Sequence, residues 1–281
     1  MPEKRPQGSA RMDFNQQVID EFRANGGRVG GPFEGGRLVL LTTTGARTGA
    51  RHTTPVGYLP DGDRILVIAS AGGSPRHPDW FRNLRANPVV QVEDGVFTYD
   101  AKATVLEGAE RDAVWARAVE ADPGWARYQE QTSRVIPVVA LEQVAGGPPN
   151  ASSMGEALKL LHDAFRRELR TIRREVAESG GTLGAQLKVN CLTACQGLRF
   201  HHTSEDNGVF PALEQRFPEL DPVLARLREE HVHLAALLAE LQATLERGDV
   251  ATLRRDVDRL VADLEAHLDY EEEQLVPLLD V

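Results

Sequence analysis

Four histidines of this chain stand where apolar residues belong. In the C-terminal half, stripes followed at alternating steps of three and four read Leu158, His162, Phe165, Leu169, Ile172, Val176; then Leu187, Cys191, Ala194, Leu198, His201, Glu205; then Leu220, Leu224, Leu227, His231, Leu234, Leu238, Leu241, Leu245; and last Leu253, Val257, Leu260, Leu264, His267, Glu271. Such spacing marks the inward face of an amphipathic helix. If four helices run up-down-up-down, the early histidines of the first and third meet the late ones of the second and fourth at one end of a bundle. Glu205 and Glu271 follow His201 and His267 by four residues, so each pair projects from one face. A polar group buried without a partner costs roughly 2 to 7 kcal/mol, and six together would unfold a small bundle. Coordination to cations removes that cost. Carboxylates can bridge two cations while imidazoles cap them, which suits a dinuclear centre better than one closed tetrahedral zinc, and two irons are expected. A lone core histidine is usually structural; four at one level change the balance. The same periodicity places His202 on a stripe with Lys188, Arg199 and Asp206, and His233 on a stripe with Arg226, Glu230 and Glu240, so both are expected to face solvent. None of the four stripe histidines has a Glu three residues earlier, which removes the ferritin-like pattern.

The segments H-H-T-S-E-D-N-G-V-F-P-A-L, E-E-H-V-H-L and H-L-D-Y-E-E-E-Q-L-V-P-L-L resemble the hemerythrin-like (HHE cation-binding) domain over about residues 152–281. The resemblance implies a non-haem di-iron centre, with terminal roles for His162, His201, His231 and His267 and bridging roles for Glu205 and Glu271. Oxygen carriers of that family place a second histidine one turn after the third-helix ligand, where this chain has Ala235. Sensing of redox state, O2 or NO, and iron handling, are the roles left by that departure.

Length and composition fit two domains, with a break at Gly146-Gly147-Pro148-Pro149-Asn150. The expected organisation is a flexible N-terminus over 1–11, a domain over 12–145, a linker over 146–151 and a bundle over 152–281. Residues 1–148 carry 17 Lys and Arg against 18 Asp and Glu, and the remainder 15 against 24, so most of the net charge of −10 lies in the bundle. That balance argues against nucleic acid as a partner. The opening residues lack an apolar signal region, no run approaches a membrane span, and a cytoplasmic protein is expected. Cys191 and Cys195, the only cysteines, read as small structural core residues, since a bridge between them would strain a regular helix.

The N-terminal half has a different grammar. After an amphipathic helix around Asp13 to Ala24, β-branched runs near Leu38–Thr44, Thr53–Tyr58, Ile65–Ala69, Val89–Val92, Val96–Val105 and Val135–Leu141 read as strands. Asp61-Gly62-Asp63 and Glu93-Asp94-Gly95 read as hairpin turns. Helices are expected near Asp79–Ala86 and Arg111–Ala121, with Asp79 as an N-cap. Few crossover helices favour a small barrel over a doubly wound sheet. The fold class is thus α+β: a β-barrel followed by an all-α up-down-up-down four-helix bundle. The segment T-T-T-G-A-R-T-G-A-R-H-T-T-P, residues 42–55, combines hydroxyls, two arginines, and amides freed by Gly45 and Gly49, which suits an anionic group such as phosphate. It matches neither the Walker pattern nor the dinucleotide fingerprint.

Together with A-S-A-G-G-S-P-R-H-P-D-W-F-R-N-L-R-A-N-P (69–88) and Y-Q-E-Q-T-S-R-V-I-P-V-V-A-L (128–141), this loop resembles the deazaflavin-dependent nitroreductase family. The resemblance implies a split β-barrel like that of flavin reductases and use of reduced coenzyme F420, with FMN as the rival cofactor. It implies that Arg47, Thr48, Arg51 and Thr53 hold the phosphate and anionic tail, while Ser70, Ala71, Gly72 and Gly73 line the deazaflavin; some members carry a lysine where Ala71 stands. Hydride transfer to a small-molecule acceptor, a quinone or a nitroaromatic, is expected, with no protein nucleophile and no catalytic residue singled out. His77, Trp80 and Asn83 read as helix start and core packing. The contrasting reading is a non-enzymatic di-iron sensor or iron-binding protein whose barrel only binds a flavin-like cofactor. Association with further copies of the chain stays open.

Overall fold

The computed structural model describes residues 7–280, with side chains from residue 14 onward. Of the flexible stretch expected over 1–11, residues 1–6 lie outside the described residues, and 7–11 are the first turns of helix α1 (Gln7–Ala24). The chain divides into two compact units, Met1–Asn150 and Ala151–Val281.

Strands β1 (Leu38–Thr44), β2 (Arg51–Asp61), β3 (Arg64–Ile68), β4 (Val89–Glu93), β5 (Thr98–Val105) and β6 (Val138–Ala145) close into an antiparallel barrel in the order β1-β2-β3-β6-β5-β4. Alternation sets its layers. Val39 and Leu41 of β1 point inward to meet Val67, Val92, Val139 and Leu141, while Leu38 and Leu40 point outward against Val18, Ile19 and Phe22 of α1. Covered on both faces, β1 reads as a continuous apolar run. Outward-facing Leu66, Ile68, Val138 and Ala140 are covered by Val114 and Ala118 of α3 (Gly108–Ala121), with Trp115 and Trp125 at the edge. The β4–β5 turn is built by Asp94, whose Oδ1 accepts from the amides of Val96 (2.9 Å) and Phe97 (2.7 Å). Gly95 in that turn has φ +99°, and a Cβ there would lie 2.6 Å from the Gly26 carbonyl oxygen.

Three details depart from the sequence reading. β6 starts at Val138 rather than Val135, because the Ile136 amide is taken by Gln129 Oε1 at 3.0 Å and Pro137 has no N–H to give a ladder. The short helix α4 (Gly124–Glu130) was not expected; Asp122 Oδ1 accepts from Gly124 N at 2.7 Å at its start. In α2 (Asp79–Ala86) the cap position belongs to Pro78, whose carbonyl accepts from Phe81 and Arg82, and Asp79 is the first helical residue, paired with Arg82.

The second unit is built on four long helices, α5 (Met154–Glu178), α6 (Ala185–Ser204), α8 (Asp221–Arg247) and α9 (Val250–Leu279), with the short α7 (Phe210–Arg216) between the second and third. Ser153 caps α5 through its bond from the Glu156 amide (3.1 Å). Gly248, left-handed at φ +71°, ends α8, and Asp249 caps α9 through the Thr252 amide (3.1 Å). A connection this short makes the two helices antiparallel neighbours. Between α6 and α7, residues Glu205–Val209 form a π-turn. Pro211, just beyond, cannot donate an amide back into it. Leu169, Leu198, Leu238, Leu260 and Leu264 belong to the main core, which also takes Cys191 and Cys195 as free buried thiols. Burial pushes the Cys195 thiol up to about 11. Among the described residues no helix is long and apolar enough to cross a membrane.

All three tryptophans, Trp80, Trp115 and Trp125, lie in the first unit, so their fluorescence reports the barrel. Leu41 is fully buried. Leu41→Ala is expected to destabilise the tryptophan-monitored urea transition by about 2 to 5 kcal/mol; a loss below about 1 kcal/mol would contradict the barrel core described above.

Candidate metal centre and cofactor loops

Between the two apolar clusters of the bundle lies a polar layer. In α8, Leu224 and Leu227 pack on one side of it and Leu234 on the other, with His231 between; in α9, Leu264 and Leu268 lie on one side and Leu275 on the other, with His267 and Glu271 between. The layer holds all six residues expected as ligands, His162, His201, Glu205, His231, His267 and Glu271, each buried. It also holds a seventh. His202, expected in solvent, is 5 % exposed and stacks on His231 with ring centroids 4.3 Å apart. The sequence reading drew the buried face of α6 too narrow. Leu198, His201, His202 and Glu205 fall at i, i+3, i+4 and i+7, and Cys195, seven residues before His202, is buried too. The H-H pair was the available signal. His233 does lie at the surface, on Asp263 at 2.8 Å, and Ala235 is exposed.

The geometry of these side chains follows from what fixes their outer nitrogens. His162 Nδ1 lies 2.9 Å from Glu272 Oε1, His231 Nδ1 lies 2.9 Å from Asp206 Oδ1, and His267 Nδ1 lies 2.9 Å from Glu230 Oε2. A carboxylate there takes the Nδ1 proton of a neutral imidazole, so each Nε2 presents a lone pair to the interior. Those lone pairs face carboxylate oxygens. Glu205 Oε1 is 3.2 Å from His201 Nε2, while its Oε2 is 3.6 Å from His231 Nε2; Glu271 Oε2 is 3.5 Å from His162 Nε2 and 3.7 Å from His267 Nε2. His162 and His201 bring Nε2 atoms within 3.2 Å. The Nε2 atoms of His202, His231 and His267 and both carboxylates have buried atoms without a hydrogen-bond partner.

Acceptors aimed at acceptors in a dry interior need cations, so the residues present fit metal binding. Two groups of ligand atoms are each within 4.8 Å of one another: His162, His201, Glu205 and Glu271, and His202, His231 and His267. Burial lowers the imidazole pKa values, His267 to about 4 and His202 far below the ordinary range, with the neighbouring His231 adding to the latter. Burial, and then the charge of nearby carboxylates, raises Glu205 and Glu271. Neutral imidazoles are ready to ligate; the carboxyls must give up a proton to do so.

In the barrel unit the predicted cofactor residues fall on two separate segments. The Gly45–Ala50 loop is folded on itself: Gly45 N donates to Ala50 O (2.7 Å) and Gly49 N to Gly45 O (2.9 Å), so the amides expected to be freed by these glycines are already engaged. Asn83 of α2, buried, anchors the loop by accepting from Ala46 N (3.1 Å) and donating to Thr43 Oγ1 (3.1 Å); its structural role agrees with the sequence reading. Arg47 and Thr48 are exposed. Arg51 donates to Gln91 Oε1 at 2.9 Å, and Thr53 Oγ1 is 2.8 Å from Thr42 Oγ1 within the β1–β2 ladder. An open cleft of about 400 Å³ is lined by Thr44, Arg51, Asn87, Gln91 and Asp100; Arg51 alone of the eight predicted residues lines it. The second segment, Ser70–Gly73, is a tight turn leading toward α2. Ala71 is left-handed at φ +49°, the one non-glycine with positive φ among the described residues, a conformation costing an L-residue roughly 1 to 2 kcal/mol. A Cβ on Gly72 would meet nothing within 4 Å, whereas one on Gly73 would lie 2.5 Å from Gln131 Oε1. The turn is thus open at Gly72 and pressed at Gly73.

Fold and sites together define a protein of two parts, a closed six-strand barrel and a helical bundle with a buried layer of histidines and carboxyls that could hold metal ions. The chain belongs to the F420H(2)-dependent quinone reductase family, whose model matches residues 15–143; the Hemerythrin HHE cation binding domain model matches residues 153–279. An F420H(2)-dependent quinone reductase of Mycobacterium tuberculosis is 39% identical over 124 residues, covering 43% of this chain and 83% of that protein. Among solved structures, an F420-H2 dependent reductase (FDR-A) is 44% identical and covers 38% of this chain and 94% of its own, with a TM-score of 0.35. A chain described as a domain-swapped dimer is 37% identical, covering 48% of this chain and 100% of its own, with a TM-score of 0.37.

The metal-free bundle has a pH dependence fixed by these groups. Carboxyls raised above their ordinary 4.5 support the fold below that value and withdraw support as pH rises, whereas His267, lowered from 6.5 to about 4, withdraws support as pH falls through that interval. The five buried histidines, all lowered from 6.5, regain support as pH rises to about 7.5. Urea resistance of the metal-free bundle, followed by circular dichroism, is therefore expected to decline from about pH 7.5 to about pH 9, where the raised carboxyls dominate. A bound divalent metal, which holds the carboxylates deprotonated, is expected to remove that decline. A metal-free midpoint that does not fall over this range would contradict the assignment of raised carboxyls.

Proposed function

We propose that this chain uses reduced coenzyme F420 to reduce a quinone, with nitroaromatics as a second acceptor class, and that its bundle holds a carboxylate-bridged pair of irons that senses redox state, O2 or NO. Membership of the reductase family supports the first part. The single observation that carries the second is the convergence of acceptor-only atoms described above. In the barrel, Arg47, Thr48, Arg51 and Thr53 receive the phosphate and anionic tail, and Ser70, Ala71, Gly72 and Gly73 receive the ring. Arg47 makes no ion pair among the described residues, so its whole fork is available to an anion. Ala71, where some relatives of this type place a lysine, brings no charge, and tail recognition falls to the arginines.

In the bundle, His162, His201, Glu205 and Glu271 would hold one ion and His202, His231 and His267 the other, with Glu205 and Glu271 each within reach of a histidine of both groups. The centre is therefore unequal, two imidazoles against three. His202 supplies from the second helix the imidazole that oxygen carriers place on the third, where Ala235 stands exposed. When bound, the reduced deazaflavin supplies a hydride and the iron pair supplies one-electron chemistry. Because these currencies differ, conformational coupling between the units is favoured over direct electron transfer.

Anaerobic mixing of the iron-loaded protein with reduced F420 and a soluble naphthoquinone is expected to give sustained, quinone-dependent oxidation; tight binding without turnover would instead identify a non-enzymatic cofactor-binding protein, and purification with bound FMN would replace the coenzyme. Iron analysis is expected to give two irons per chain, falling toward one in His202→Ala and below one in Glu205→Ala. Equal iron in all three proteins would end the ligand assignment.

A further inference from the structure

The segment between α4 and β6 carries a cation that neither the metal centre nor the anion-binding loop uses. Gln129, near the end of α4, staples this segment: its Nε2 donates to Thr132 O (3.2 Å) and Arg134 O (2.7 Å), and its Oε1 accepts from Ile136 N (3.0 Å). Held in this way, the Arg134 guanidinium reaches the Ser70–Ser74 turn. Its Nη2 donates to Ser70 O at 2.6 Å, its Nε donates to Ser74 O at 2.9 Å, and its Nη1 lies 3.2 Å from His77 Nδ1. The two carbonyls bracket Ala71, Gly72 and Gly73, all three left-handed. Gly73 is pressed from the same segment, a Cβ there lying 2.5 Å from Gln131 Oε1 and 3.0 Å from the Tyr128 carbonyl oxygen.

Local hydrogen bonds within the turn are few: Gly73 N to Ser70 O is 3.1 Å, while Ser74 N to Ala71 O (3.3 Å) and Gly72 N to Ser70 Oγ (3.4 Å) are long. They are set against the cost of a left-handed alanine. The guanidinium bonds at both ends are the stronger restraint, being charge-assisted and set by a rigid planar fork.

We propose that Arg134 is a positioning residue for the reduction, fixing the Ser70–Ser74 turn in the left-handed shape that receives the deazaflavin ring by bonding the carbonyls at both of its ends. This rests on the reading of Ser70–Gly73 as coenzyme contacts. A lysine keeps the charge, but a single ammonium cannot span both carbonyls and the His77 ring.

The test compares the full-length wild type with Arg134→Lys, Arg134→Gln and Gln129→Ala, the last loosening the staple while leaving the arginine in place. Binding of oxidised F420 is followed by its fluorescence, steady-state reduction with a naphthoquinone gives kcat and KM, and hydrogen exchange over residues 70–74 is read without coenzyme. Both Arg134 variants are expected to weaken F420 binding about tenfold or more, the scale of losing charge-assisted bonds, and to raise its KM in parallel. Quinone KM stays unchanged and exchange over the turn accelerates. Gln129→Ala moves the same quantities less, and covers the case in which an Arg134 variant fails to fold. Wild-type affinity and exchange in a folded Arg134→Lys, or in Gln129→Ala, would overturn the clamp while leaving the coenzyme reading intact. A wild type that does not bind F420 would overturn both.

Discussion

The bundle depends on electrostatics that are unsatisfied by protein alone. Carboxylates outside the layer, Glu272, Asp206 and Glu230, take the Nδ1 protons of His162, His231 and His267, and this fixes which nitrogen faces inward. What these three rings turn inward is therefore a lone pair each, toward two buried carboxyls. Turning an Nδ1 proton inward would leave a half-buried carboxylate outside without its donor. A cation shared among the ligands is the arrangement that satisfies every group at once. The apolar clusters above and below the layer keep water from doing so instead, and they also fix the helix registers that bring ligands from α5, α6, α8 and α9 to one level.

The outer carboxylates are themselves restrained, which accounts for part of the acidic surplus of the C-terminal half. Glu272 accepts from Arg166 at 2.7 Å and Glu230 from Arg226 at 2.8 Å; Arg226 in turn lies over the Tyr270 ring, 3.6 Å from its centroid. Against the effect of burial, the histidine each carboxylate serves, and then its arginine, hold Glu272 and Glu230 below the ordinary carboxylate range. A carboxylate that stays ionised makes its imidazole a better donor to metal. Asp206 and Glu205 are neighbours in sequence, yet both reach His231, one at each ring nitrogen. The π-turn that begins at Glu205 is where this occurs, consistent with the use of such turns at functional sites.

Periodicity was enough to find the barrel, the bundle and six buried positions of its polar layer, because each rests on an alternation that burial imposes along one element. β1 and α2 were legible to the residue, β1 through its unbroken apolar run and α2 through a tryptophan-bearing face between proline-rich flanks. His202 was not legible, since a stripe one residue wide cannot represent a helix packed against neighbours on two sides; α6 buries Gln186, Asn190 and Cys195 beside its main row. The engaged amides of Gly45 and Gly49 were also beyond sequence. Glycine spacing shows where backbone can turn, whereas the closure of this loop depends on the Ala50 carbonyl and on Asn83, nearly forty residues away.

Charge in the barrel is unevenly compensated among the described residues. The unit is close to neutral, and many of its arginines end on carboxylates: Arg23 on Glu93, Arg64 on Asp61 and Glu110, Arg117 on Asp61. Arg51 ends on an amide instead, which leaves its charge uncompensated, and Arg47 stands exposed on the preceding loop. Two cations without counter-ions at one end of the β1–β2 hairpin produce a positive field that the paired arginines elsewhere do not dilute. The neutral Ser70–Gly73 turn offers backbone and open space rather than charge. The two loops attach to α2 at different points, one tied to its body through Asn83 and the other leading into its start. α2, anchored by buried Trp80, Phe81 and Leu84, thereby fixes the spacing between the charged loop and the neutral turn.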